Sequence, residues 1–88
     1  MPVTQPARCF VTFASVHHAL EAERRLLGVG VPIRLVQIPR EISSDCGTAL
    51  EFPCDRQTEV LAALRELALR FETLQVLQDG RPTVIAAS

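Results

Sequence analysis

The stretch CFVTFASVHHALEAERRLLGVGVPIRLVQI, residues 9–38, decides the fold. Cys9–Phe13 is β-branched and aromatic, the composition of a strand. Ser15 has the short hydroxyl side chain that caps a helix. From Val16 onward the apolar residues fall at 16, 19, 20, 26 and 27, with acids and arginines between them. That is helical spacing, and Gly28 and Gly30 end it. Pro32 then imposes an extended backbone before Ile33–Ile38, a second strand. A strand, a helix and a strand in this order form a right-handed crossover, and the two strands run the same way.

The rest of the chain completes the pattern. Residues 39–47 hold Pro, Ser, Asp and Gly and read as a loop; a helical turn there is the alternative and leaves the topology unchanged. Thr48–Phe52 alternates as a third strand, and Pro53 stops it. Asp55 is placed to cap a second helix with apolar positions at 60, 61, 64, 67, 68 and 71. Thr73–Leu77 is a fourth strand, and Asp79–Pro82 a turn. Residues 83–88 are either a short added strand or a loose tail. The predicted order is β-α-β-β-α-β, the ferredoxin-like α+β arrangement: a four-stranded antiparallel sheet with two helices on one face. The other face stays open or is covered by a second copy in a homodimer. One folded domain is expected over 9–78, with a flexible segment at 1–8 and a turn and tail at 79–88.

Composition narrows the function. The chain has 88 residues, 48% of them apolar and 22% charged, which is globular and too short for a two-lobed enzyme. A net charge of -1 provides no broad positive surface, so nucleic acid is not the expected partner. All nine cations are Arg, so chemistry built on a lysine is excluded, and Trp and Tyr are absent. No signal-peptide core and no membrane-length apolar run is present, so a cytoplasmic location is expected. Three cysteines without a CxxC spacing do not predict a disulfide framework.

The topology also places the reactive side chains. The exit of the first strand and the loop between strands two and three share one edge of the sheet. Cys46 therefore belongs near Ser15, His17 and His18 at the start of the first helix. A helix N-terminus, a protonated imidazole and Arg40 each favour a thiolate, and backbone N–H groups around Gly47 are suited to bonding it. Cys46 reads as a nucleophile or carrier thiol, against the plainer reading of a capped turn with an incidental cysteine. Glu41 and Asp45 shape the loop and oppose the thiolate. Cys9 and Cys54 fall at the opposite edge, where they can be neighbours, Cys9 as a small core residue and Cys54 as an unreactive loop thiol, with a role in sulfur relay as the alternative. Cys46 stands up to about 26 Å from Cys54 along an extended strand. Adjacent histidines point about 100° apart on a helix, and one His with Cys46 is only two ligands, so neither a metal nor a cofactor is expected.

At this point the residues resemble a family. Val11–Phe13, Ser15, His17–Leu20 and Ala22-Glu23 are similar to its first strand and helix, and Gly30–Pro32 with Arg34-Leu35 to its second strand. Pro39-Arg40-Glu41-Ile42-Ser43-Ser44-Asp45-Cys46-Gly47-Thr48-Ala49-Leu50 resembles the signature of the DUF3343 domains, the selenium/sulfur carrier protein-like family. The resemblance spans roughly residues 9–77. It implies that Cys46 carries a persulfide or perselenide, with Arg40, Ser43, Ser44 and Gly47 forming the loop around it. It also implies a chalcogen donor, such as a cysteine desulfurase, and an acceptor protein as partners. Such a protein is a carrier rather than an enzyme. The competing expectation is a non-catalytic ferredoxin-like module whose 39–47 loop docks a ligand or a protein. A thiol redox sensor needs a resolving cysteine near Cys46, which the topology does not supply within one chain.

Overall fold

A computed structural model describes residues 6–43 and 47–87 of the chain. The elements are β1 (Arg8–Thr12), α1 (Val16–Gly28), β2 (Arg34–Gln37), β3 (Thr48–Phe52), α2 (Gln57–Glu66), β4 (Thr73–Gln78) and β5 (Arg81–Ala87). They form one antiparallel sheet in the order β2-β3-β1-β4-β5. The expected sheet of four strands is therefore corrected to five. The fifth follows from Asp79 and Gly80, whose φ angles of 53° and 75° place both in the left-handed region. A two-residue loop with this geometry matches strand twist and closes a tight hairpin, so Gln78 pairs with Arg81 and the chain continues along β4. The register shifts between Leu74 and Gln75, and Val84 and Ile85 remain exposed on this edge. Of the 1–8 segment, Arg8 already opens β1, and residues 1–5 lie outside the described residues.

Strand alternation divides the side chains between two faces. Cys9, Val11, Leu50, Phe52 and Leu74 point to the side covered by both helices, where Ala19, Ala22 and Leu26 of α1 and Val60, Ala63 and Leu64 of α2 complete the main core. The second face is not left bare. Phe10 there is fully buried, packed with Ala49 and Leu77 and flanked by Val36, Ile38 and Ile42. Part of that cover comes from the segment after β2, where Ser43 N–H donates to Pro39 O at 3.1 Å and closes one helical turn. The Arg8 guanidinium adds to it, its carbon 5.0 Å from the Phe10 ring centre.

Both helices end in the same backbone motif. Val31 N–H reaches back to Leu26 O at 3.0 Å, and Leu69 N–H to Leu64 O at 2.9 Å. Each closure needs a left-handed residue just before it. Gly30 (φ 84°) fills that place after α1, but Ala68 (φ 51°) fills it after α2. The capping expectations divide. The Ser15 hydroxyl accepts from His18 N–H at 3.3 Å, as a helix cap does. Asp55 does not cap α2: it sits in a 3-10 turn, Cys54–Arg56, that precedes the helix. Pro53 starts this turn, its carbonyl accepting from Arg56 N–H at 2.9 Å, and α2 grows from it without a side-chain cap. Positions 67, 68 and 71 accordingly lie beyond the helix.

Candidate functional site at the loop edge

Strand β1 leads directly into α1, so the C-terminal end of β1 and the N-terminus of α1 meet at one edge of the sheet. The β2–β3 connection returns to the same edge. Its two ends are held together by Ile38 N–H donating to Gly47 O at 2.9 Å, one step beyond the Gln37–Thr48 pair. A pocket of about 840 Å³ opens between these elements. Ala14, Ser15 and Val16 line it from the entry to α1, and Ile38, Ile42, Ser43, Gly47 and Thr48 from the connection and the start of β3. Thr12, Thr73 and Gln75 line it from β1 and β4, with Glu72 beside them.

The wall from β1 and β4 is polar and organised. The Thr12 and Thr73 hydroxyls are hydrogen-bonded to each other. Thr73 N–H donates to Thr12 Oγ1 at 3.1 Å, and the Gln75 side-chain amide donates to Thr73 Oγ1 at 2.8 Å. These residues were not singled out from the sequence, although the two-residue alternation of β4 places Thr73 and Gln75 on one face together. Among the described lining residues Glu72 is the one charged side chain. The N-terminus of α1 is electropositive, and its first turn holds no acidic residue.

The predicted site residues separate into four groups. Ser15, Ser43 and Gly47 come together on the pocket wall. Cys46, Ser44 and Asp45 lie outside the described residues, directly before Gly47. Arg40 and His17 are exposed and do not line the pocket. His18 is half-buried on another side of α1, in a small pocket with Glu21, Ala68, Leu69 and Arg70. The helical turn explains the separation: at about 100° per residue, His18 is turned roughly 200° from Val16. Among the described residues no three or more His, Cys, Asp or Glu gather as metal ligands.

The other edge carries a feature that corrects the cysteine reading. Cys9 and Cys54 are joined by a disulfide, with Cα atoms 5.3 Å apart. Antiparallel pairing sets Cys9 opposite Phe52, so Cys54 arrives beside it just past the strand end. Cys54 is therefore not a free loop thiol. Near this edge, on the second face, Glu51 accepts from Arg8 Nε at 2.9 Å and from an Arg34 guanidinium nitrogen at 3.2 Å. The Arg8 hydrogen bond, with Arg34 assisting, holds the Glu51 carboxyl below the usual carboxylate range.

Among the described residues no helix is long and apolar enough to cross a membrane. No curated protein and no solved structure matches the sequence. The family described as "Putative Se/S carrier protein-like" matches over residues 8–75, which take in β1 to the first half of β4 and the whole pocket edge. That span is most of the chain, and the chain belongs to this family.

Proposed function

We propose that the protein carries sulfur or selenium on Cys46, taking it from a donor persulfide or perselenide and passing it to an acceptor protein. The observation that supports this reading most is the family match over residues 8–75, and the Cys9–Cys54 disulfide is consistent with it. The chain has three cysteines, so Cys46 is left with no cysteine of its own chain to pair with. A carrier thiol needs that property, because a neighbouring thiol would resolve the persulfide into a disulfide and discharge the cargo. The disulfide also counts against a redox sensor built on Cys46 within one chain.

The chemistry asks little of the protein. The Cys46 thiolate attacks the outer sulfur of the donor persulfide, forms a new S–S bond and releases the donor thiolate. A nucleophile of the acceptor then attacks the outer sulfur of the Cys46 persulfide and releases the Cys46 thiolate. No net oxidant is required. Ser43 and Gly47, the described residues on either side of Cys46 in the sequence, line a pocket together with the first residues of α1, and a helix N-terminus favours anionic sulfur.

The test is intact mass spectrometry after incubation with a cysteine desulfurase and cysteine, followed by peptide mapping. The expected result is a reductant-sensitive gain of one sulfur, about 32 Da, on Cys46, and no gain in Cys46→Ser. No adduct on Cys46, with ligands instead protecting the 39–47 segment, would favour a non-catalytic binding module built on the polar pocket.

A further inference from the structure

The carrier reading leaves the opposite edge of the sheet without a role. A second pocket of about 430 Å³ opens there, lined by Arg8, Arg34, Glu51, Phe52, Pro53 and Cys54 among others. Its volume suits a small ligand. The two sulfurs of the disulfide differ in access. Cys9 is 0% exposed, inside the main core, whereas Cys54 is half-buried and lines the pocket. Cys54 is thus the cysteine of the pair that faces the pocket, its Sγ 3.5 Å from Ala7 O on the pocket lining.

The pocket also has a hand for an anion. The Arg34 side chain is 74% exposed, and its one described bond is a single guanidinium N–H on Glu51. The remaining donors of its fork are open to solvent. Arg8 is engaged on both carboxylate oxygens of Glu51 and stacked on Phe10, and Glu41 acts on it through space. Two guanidinium groups against one carboxylate leave the lining with one excess positive charge. Asp55 is exposed next to Cys54, and Arg56 is paired with Glu59 at 3.0 Å; none of these three lines the pocket.

We propose that the Cys9–Cys54 disulfide and the Arg34-edged pocket at Cys54 form a thiol–disulfide exchange site for a small, carboxylate-bearing thiol. The thiolate attacks Cys54 Sγ. A mixed disulfide forms on Cys54 as the Cys9–Cys54 bond breaks, and Cys9 leaves as a thiolate that takes up a proton. A second thiolate attacks the ligand sulfur of the mixed disulfide, releasing Cys54 and the oxidised ligand disulfide. Two thiols are oxidised and one protein disulfide is reduced. The carboxylate of the ligand rests on Arg34 while its sulfur meets Cys54. The site shares no lining residue with the pocket that Ser43 and Gly47 line, and it does not depend on the carrier reading.

The experiment uses the oxidised full chain carrying Cys46→Ser, so that no third thiol reacts. Reduction is followed with 3-mercaptopropionate, 2-mercaptoethanol and cysteamine, with rates expressed per thiolate, and the adduct is trapped and mapped. The expected result is a mixed disulfide on Cys54 and an anionic thiol faster than the cationic one by about tenfold, the low end of electrostatic steering. Added salt should shrink that ratio. Arg34→Glu should reverse the order, and Arg34→Gln should bring the ratio to roughly threefold or less. A mixed disulfide mapped to Cys9, or a charge order unchanged in both Arg34 variants, would overturn the proposal. Arg34 is an exposed edge residue, so both variants are expected to fold, which far-UV circular dichroism checks.

Discussion

Consider the loss of the Cys9–Cys54 cross-link by Cys54→Ala. The disulfide joins residues 45 apart in sequence and so removes a large loop from the freedom of the unfolded chain. The chain-entropy relation for a loop of that length corresponds to about 13 cal/mol/K, or about 4 kcal/mol at 25 °C. The folded state adds little to this figure. Cys9 remains a buried apolar thiol between the helices and the sheet, and Cys54 is only half-buried, so its truncation leaves no enclosed cavity. A domain of this size has a total stability of roughly 4–13 kcal/mol, so the cross-link accounts for a third of it or more. The assay is urea denaturation of oxidised protein, of protein held in reductant, and of Cys54→Ala. The reduced protein and the variant should agree within about 1 kcal/mol and lie about 2–4 kcal/mol below the oxidised protein. The corresponding fall in Tm is about 15–30 °C for a loss of 4 kcal/mol. The variant should also ignore reductant, whereas the parent should not. A gap below about 1 kcal/mol between oxidised and reduced protein would refute the reasoning, since it would mean that the unfolded chain is not measurably constrained.

Two further outcomes follow from the backbone and the charges. Ala68→Gly should stabilise by about 0.5–1 kcal/mol by relieving a left-handed alanine, while Gly30→Ala should cost about 1–2 kcal/mol; thermal unfolding of both variants checks the opposite signs. Glu51→Gln should lower stability at neutral pH by about 1 kcal/mol, a partly exposed pair being worth no more. Because the folded Glu51 carboxyl lies below its unfolded value of about 4.3, its contribution is present above that pH and fades as pH falls through the folded value. The parent and the variant should therefore converge in acid urea titrations, and a constant gap down to pH 2 would contradict the assignment.

Some of the site was legible in the chain alone, and the limits have physical causes. Ser15 next to an apolar 3.6-residue pattern marks a helix start, because capping is local chemistry. The meeting of that start with Ser43 and Gly47 follows from a right-handed crossover, which leaves one arrangement of the two strands. The orientation of His18 was not legible, since whether its ring turns toward the loop or toward Arg70 depends on the rotational setting of α1 on the sheet. The polar wall of Thr12, Thr73 and Gln75 depends on β1 and β4 being neighbours, which no local pattern states. The second face was expected to stay open or to be covered by a second copy, yet Ile38 and Ile42 pack around Phe10 from within the chain.

The amino-acid sequence by itself determined the order of the two helices and the first four strands, the edge at which Ser43 and Gly47 lie and the family of the chain. It could do so because periodicity, capping and turn chemistry act over a few residues. Only the tertiary structure decided the fifth strand and the pairing of Cys9 with Cys54. Residues 83–86, Thr-Val-Ile-Ala, bury too little to announce a strand, and β5 forms because the Asp79-Gly80 turn delivers it to β4. The cysteines are 45 positions apart, and only the antiparallel register of β1 on β3 brings their Cα atoms to 5.3 Å.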